Sequence, residues 1–294
     1  MKRIFSLVSI CVWFLSPFAV WAEENQVAAP IVTQDVPAVV SPFENEAYIG
    51  PKILINAAAR KLRLYEGARL LKEYDIAVGS PRYPTPLGER LMKQIIWNPW
   101  WLPPDSGWAK GAKDTPPGPN NPLGPVKMDL GEAILVHGTN KPGSVGYAAS
   151  HGCMRMHNDE AKELAQFIQE RYTPKSDPAL FTEYAKNNRS SYYVKLDEPI
   201  PVKIYYDTVE VVDGHLQIYG DFYGKAAKSG TQMDLIKNEL KNAGYNTAKL
   251  SEDGLKEALK GKKGDFVLPI EPLMTIESFF ATAKAGLPAL AVVQ

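Results

Sequence analysis

From about residue 52 onward the chain sets short apolar runs between turn-forming residues. The stretch KILINAAARKLRLYEGARLLKEYDIAVG (52–79) alternates Leu62 and Leu64 with charged residues and breaks at Glu66 and Gly67, a period of two around a glycine that predicts a β-hairpin. Further strands are predicted over 90–96 and 132–137. Between them, residues 97–126 carry eight prolines and four tryptophans, which no regular element tolerates for long. This is a long loop, and Trp97, Trp100, Trp101 and Trp108 either make it an ordered cover or fill the core beneath it. At 158 the period changes to that of a helix, with Ala161, Leu164, Ala165 and Ile168 on one face and Asn158 and Asp159 as caps. Beyond about residue 197, PVKIYYDTVEVVDGHLQIYGDF predicts a strand pair turning at Asp213 and Gly214. An amphipathic helix carrying Met233, Ile236 and Leu240 follows, and another near 254–260.

The N-terminus changes the picture of where the chain acts. Met1, Lys2 and Arg3 precede an apolar run from Ile4 to Val20, and the small residues Val20 and Ala22 stand just before Glu23. That order is an export leader cut after Ala22. A retained membrane anchor fits less well, because the run falls short of the roughly 20 apolar residues of a span and contains Pro17. Residues 23–48, with Pro30, Pro37 and Pro42 and no period, read as a linker. The expected organisation is therefore a leader (1–22), a linker (23–48), a main domain (49–196) and a small C-terminal α/β module (197–294), in a protein exported to the periplasm or cell envelope. Hydrophobic residues make up 45% of the chain, enough to exclude disorder throughout. Basic and acidic residues number 33 each, so no net field draws in nucleic acid or an acidic membrane surface.

Removal of the leader would take Cys11 with it and leave Cys153 as the one cysteine, so no internal disulfide could form. An unpaired thiol in an oxidising compartment suggests a chemical task, the alternative being a buried, inert cysteine. The surrounding segment, ILVHGTNKPGSVGYAASHGCMRMHNDE (134–160), gathers three of the four histidines, His137, His151 and His157, together with Arg155. A cysteine nucleophile needs a base or cation beside it and donors for the oxyanion it creates. The strand ILVH would end at His137 and present its imidazole to a site. If 150–156 is extended, His151, Cys153 and Arg155 share one face, and Arg155 could favour a thiolate. Gly152 lets a substrate carbonyl approach the backbone, and the amides of Gly152 and Cys153 are oxyanion donors in prospect. A zinc site of His137, His151, Cys153 and His157 is the competing arrangement, opposed by the lack of a CxxC pair and the compact, glycine-bearing turn at Cys153. Spacing alone does not choose between His137 and His151 as the base.

The strings HGTN and SHGCMRM, with TPLGE at 85–89 and NNPLGP at 120–125, resemble the L,D-transpeptidase catalytic domain, the YkuD-like family of the ErfK/YbiS type, over roughly residues 50–196. The resemblance implies a mainly β catalytic domain, a sandwich or barrel-like arrangement with a short helix after the nucleophile. It implies that Cys153 attacks, that His137 rather than His151 takes its proton, and that the carbonyl of Gly138 orients the His137 ring. His151 and Arg155 are implied as site-shaping and substrate-contacting groups, Ser150 as support, and TPLGE as a turn near the site. Met154 stands where many members carry a branched aliphatic residue. The implied reaction is acyl transfer from a peptidoglycan tetrapeptide stem to an amine, with diaminopimelate cross-linking the usual outcome and no metal or organic cofactor. Water as acceptor would make an L,D-carboxypeptidase, and an envelope protein's amine would tether that protein to the wall. A zinc-binding protein or an inactive wall-binding protein are the non-enzymatic alternatives, and the C-terminal module has no role that the sequence assigns.

Overall fold

Lys61 and Arg63 point away from Leu62 and Leu64, and that alternation starts the fold. In the computed structural model, which describes residues 41–43, 45 and 47–274, the two leucines are fully buried while Lys61 and Arg63 pair with Glu73 and Asp75 on the facing strand. The expected leader and most of the expected linker lie outside the described residues. The first three strands, β1 (Pro51–Asn56), β2 (Lys61–Glu66) and β3 (Arg69–Asp75), are antiparallel neighbours, with the predicted turn at Gly67.

A short β4 (Val78–Gly79) leads to β5 (Gly88–Trp97), β6 (Val126–Asp129), β7 (Leu135–His137), β8 (Ala148–Ser150) and β9 (Met154–Arg155). Helices α1 (Asn158–Tyr172) and α2 (Ala179–Lys186) precede the long strand β10 (Tyr192–Tyr205). Eight strands form one sheet in the order β3-β2-β1-β10-β5-β6-β7-β9, and β4 pairs with β8 beside it. Only β1–β10 and β7–β9 run parallel within that sheet. It curls into a half-barrel, so the domain is mainly β as the resemblance implies. Helix α1 packs its Ala161, Leu164, Ala165 and Ile168 onto β6, β7 and β10. It is 15 residues long, not short. Asn158 does not cap it, because the cap position is His157 and the Asn158 carboxamide instead accepts the Thr139 amide at 2.7 Å.

The strand predicted over 132–137 begins only at Leu135. Glu132 and Ala133 have φ of 51° and 60°, and a tight turn closed by the Ile134 amide on the Gly131 carbonyl takes their place. In the long loop the tryptophans divide between the two readings. Trp97 ends β5 in the core, its indole donating to Gln169 at 2.7 Å, whereas Trp100 and Trp108 are exposed. Asn121 orders the loop by donating to the carbonyls of Pro99, Thr115 and Pro116.

The C-terminal segment holds β11 (Val209–Val212), β12 (His215–Ile218), α3 (Gln232–Asn242), α4 (Glu252–Leu259) and β13 (Phe266–Pro269). Its three strands form a separate antiparallel sheet around a second core containing Leu216, Ile236, Leu240 and Leu255. The boundary expected between 196 and 197 falls inside β10, which lies between β1 and β5 and bulges between Lys195 and Ile200. Residues 197–205 thus complete the large sheet, and the second core begins at Val209.

Glu210 fastens the two parts together. Its carboxylate receives both terminal nitrogens of Arg63 at 2.8 and 2.9 Å, Asn56 at 2.9 Å, Tyr219 at 3.0 Å and Tyr205 at 3.2 Å. Burial alone would raise the Glu210 pKa, but the Arg63 pair and the neutral donors hold it below the ordinary value. Glu210→Ala should lower the unfolding free energy by about 3 kcal/mol in urea titration, because Arg63 is left with Glu73 as its one carboxylate and Asn56, Tyr205 and Tyr219 each lose one acceptor. A loss below about 1 kcal/mol would show that the network adds little to stability.

Candidate active site

The site is built on the parallel pairing of β7 and β9 at one edge of the sheet. Val136 stands opposite Met154 and His137 opposite Arg155. Val136 and Met154 are buried in the core, so the period of two sends Leu135, His137 and Arg155 to the other face, and Cys153 lies in the bend just before β9. Arg155 and Lys127 lie close enough to act electrostatically on both His137 and Cys153, so the two groups share one charged neighbourhood. On the other side β6 sets Lys127 opposite His137 and Asp129 opposite Leu135, bringing a cation and a carboxylate to the same face.

His137 is buried, and its Nδ1 lies 2.5 Å from the Gly138 carbonyl oxygen. A carbonyl only accepts, so Nδ1 carries the ring hydrogen and Nε2 keeps its lone pair. Burial is the main force holding the His137 pKa down to about 4. Arg155 and Lys127 add to the lowering and the Gly138 bond opposes it. The ring is therefore neutral at pH 7. Gly138 cannot carry a side chain, since a Cβ there would sit 2.4 Å from Asn158 Oδ1 and 2.8 Å from Pro125 Cδ.

Cys153 is partly exposed, and its Sγ reaches the Ala133 carbonyl at 3.5 Å. The sulfur itself is recessed, and this burial pushes the thiol up. The Leu135 amide, Arg155 and Lys127 act against the rise and Asp129 reinforces it. Arg155 does favour the thiolate as expected, but desolvation outweighs it and the other nearby cation, so the resting thiol is protonated. Arg155 donates to Ser144 Oγ and the Ala149 carbonyl, each at 3.3 Å, and burial lowers its own pKa against the pull of the Cys153 sulfur.

The segment 150–156 is not one extended run. It bends at 151–153, and Gly152 has φ of 116°, a conformation that a side-chain-bearing residue rarely adopts. β9 begins only at Met154, so the period of two places Arg155 but neither His151 nor Cys153. Ser150, buried at the end of β8, closes the bend by donating to the Cys153 carbonyl at 2.6 Å and accepting the Gly152 amide at 3.1 Å. The Gly152 amide is thereby occupied, and of the two backbone donors expected only that of Cys153 is left. His151 is exposed and lies flat against Trp108 of the long loop, with ring centres 4.1 Å apart, and near Tyr83 at 4.8 Å. His157 is exposed at the start of α1. Among the described residues no three His, Cys, Asp or Glu side chains converge as a metal site would require, so the four zinc ligands considered are not brought together.

Sequence reasoning missed Lys127, the bond of Asn158 to Thr139 and the turn at 131–134. Lys127 alternates with buried Val126 and Met128, a signal too short to read in a four-residue strand. Thr85, inside the TPLGE turn, is also buried in the site's support, its hydroxyl 2.9 Å from the Gly152 carbonyl.

Residues 50–194 match the L,D-transpeptidase catalytic domain, YkuD. YkuD of Bacillus licheniformis, whose name assigns it to the L,D-transpeptidases, is 34% identical over 131 residues, covering 44% of this chain and 67% of that protein. ErfK/SrfK of Escherichia coli, named for the same activity, is 27% identical over 176 residues, and the match spans 51% of this chain but only 56% of that relative. A solved L,D-transpeptidase from Mycobacterium smegmatis aligns with a TM-score of 0.33 at 15% identity, over 53% of this chain and 59% of the other. The chain belongs to the L,D-transpeptidase family of enzymes.

The buried neutral His137 ties stability to pH. Its folded pKa of about 4 lies below the ordinary 6.5, so the unfolded chain takes up the proton first as pH falls. The contribution is complete above about pH 6.5 and disappears towards pH 4, a loss of ~3 kcal/mol. Urea titrations of the protein and of His137→Gln across that range should show the slope in the first and a flatter profile in the second. Iodoacetamide labelling of Cys153 should have its alkaline midpoint above that of an ordinary cysteine.

Proposed function

We propose that this protein is a peptidoglycan L,D-transpeptidase in which Cys153 is the nucleophile and His137 the general base. The observation that supports this reading is a neutral imidazole with a free Nε2 and a partly exposed thiol at the start of the paired strand, with Arg155 and Lys127 acting on both. A resting pair of neutral groups suits general-base catalysis, in which the proton leaves sulfur as the bond to carbon forms. Sulfur attacks the carbonyl of the bond between an L-centre and the terminal D-residue of a tetrapeptide stem, and His137 Nε2 takes the thiol proton. The Cys153 amide donates to the oxyanion. Collapse expels the D-amino acid, whose amine takes the proton from His137, and a thioester remains. An acceptor amine then gives its proton to His137 and attacks the thioester, forming a new amide and restoring the thiol. Arg155 and Lys127 present positive charge where the stem's carboxylate would lie. His151, Trp108 and Tyr83 pack together beside the turn that carries Cys153.

The diaminopimelate amine is the proposed acceptor, and the periplasm or cell envelope the proposed location, following the leader at 1–22. Among the described residues no helix is long and apolar enough to cross a membrane. Incubation with a carbapenem should add the whole mass of the drug to the chain and add nothing to Cys153→Ala. His137→Ala should slow that acylation about 100-fold while remaining folded. Equal loss in His151→Ala with a reactive His137→Ala would transfer the base to His151, and no adduct on the unaltered chain would sink the proposal. Purified muropeptides then identify the acceptor by product mass, since a cross-linked dimer, a trimmed stem and a protein conjugate differ.

A further inference from the structure

The loop after β12 sends one side chain into the support of the nucleophile. Tyr223 stacks on Tyr206 with ring centres 4.9 Å apart, and its backbone amide donates to the Tyr206 hydroxyl at 2.9 Å. Its own hydroxyl lies 2.6 Å from the Gly79 carbonyl and 3.1 Å from the Thr85 amide. The amide can only donate, so the tyrosine hydrogen goes to Gly79. The same reasoning fixes the next link. Thr85 Oγ1 accepts the Gly79 amide at 2.8 Å, and its single hydrogen is directed to the Gly152 carbonyl at 2.9 Å. Holding that carbonyl holds the whole peptide unit between Gly152 and Cys153, because the unit is planar and trans. The Cys153 N–H must then point away from Thr85.

We propose that Tyr223 is a positioning residue that acts through Thr85 on the Gly152–Cys153 peptide and so aims the Cys153 amide at the oxyanion. The C-terminal segment thereby supplies a part of the active-site support that residues 50–194 do not contain. The inference rests on Cys153 being the acylated nucleophile, and it concerns orientation of a donor rather than reactivity of the sulfur.

Two reactions of the same thiol separate these. Acylation by a carbapenem passes through an oxyanion, whereas alkylation by iodoacetamide is a displacement at carbon that forms none. The full chain and the variants Tyr223→Phe, Thr85→Val, Thr85→Ser and Glu210→Ala are compared well below their melting temperatures, with circular dichroism showing each folded. Tyr223→Phe and Thr85→Val should lower the ratio of acylation to alkylation rates about tenfold, a fraction of the effect of deleting an oxyanion donor outright. Thr85→Ser, which keeps the hydroxyl, should restore most of the ratio lost in Thr85→Val. Glu210→Ala, destabilised away from the site, should leave it unchanged. An unchanged ratio in folded Tyr223→Phe overturns the proposal. If that variant does not fold, equal ratios in Thr85→Val and Thr85→Ser overturn it, and a low ratio restored by serine supports it. Failure of the unaltered chain to acylate would instead strike the assignment of Cys153 itself.

Discussion

Parallel pairing of a three-residue strand with a two-residue strand decides which side chains meet at the site. Residues along β7 and β9 alternate between the core and the open face, and the alternation has no slack. Val136 and Met154 are buried in the main core, and Met156 follows the same side. A slip of one residue in β9 would drive Arg155 into that core and lift Met154 out of it. Burial of two methionines and a valine therefore enforces the positions of His137 and Arg155, and Ser150 fixes the bend that carries Cys153 beside them. The Met156 amide adds a bond to the His137 carbonyl at 2.8 Å, which ties the strand ends where the histidine sits.

The same packing sets the protonation states. Desolvation moves the imidazole down and the thiol up, and both shifts favour neutral groups. Cations at Arg155 and Lys127 would by themselves favour the thiolate, yet they also disfavour a protonated imidazole. An ion pair formed in advance is thus opposed on both partners. In the proposed reaction the charge appears only with the substrate in place, when sulfur, carbonyl and ring move one proton together. A thiol that stays protonated until then is also less open to oxidation.

Much of this was legible where a strong period met ordinary turn chemistry. The β2–β3 hairpin turns at Gly67 and the β11–β12 pair at Asp213 and Gly214, both in positive φ. Helix α1 buries the four residues its spacing selects. The failures have separate physical causes. Glu132 and Ala133 adopt left-handed φ without the glycine or asparagine that normally marks it, so their turn reads as strand. Asn158 has the right composition for a cap, but a tertiary bond to Thr139 claims its side chain. Gly152 is readable as a glycine, yet not its φ of 116°, which breaks the face on which His151 was expected. The pull of Arg155 on the sulfur is readable from spacing, whereas the desolvation that outweighs it is not.

The change of character near residue 197 is real in composition and misleading in space. β10 runs through it because the large sheet needs a central strand between β1 and β5, and that strand arrives last in the chain order of the sheet. Once β10 closes the sheet, the chain leaves it at Tyr206 beside β1, and the next residues are obliged to start on the catalytic core. Tyr206, Tyr219, Phe222 and Tyr223 pack there, and Glu210 meets Arg63 from the same approach. The second core, drawn from Val209 to Leu273, is thus anchored by residues that belong energetically to the first. An appended module joined by a free linker would leave the active-site loops indifferent to its presence. This one is held by a buried carboxylate away from the site and reaches the site through one hydroxyl, that of Tyr223, which meets the Gly79 carbonyl and the Thr85 amide beside the nucleophile's peptide.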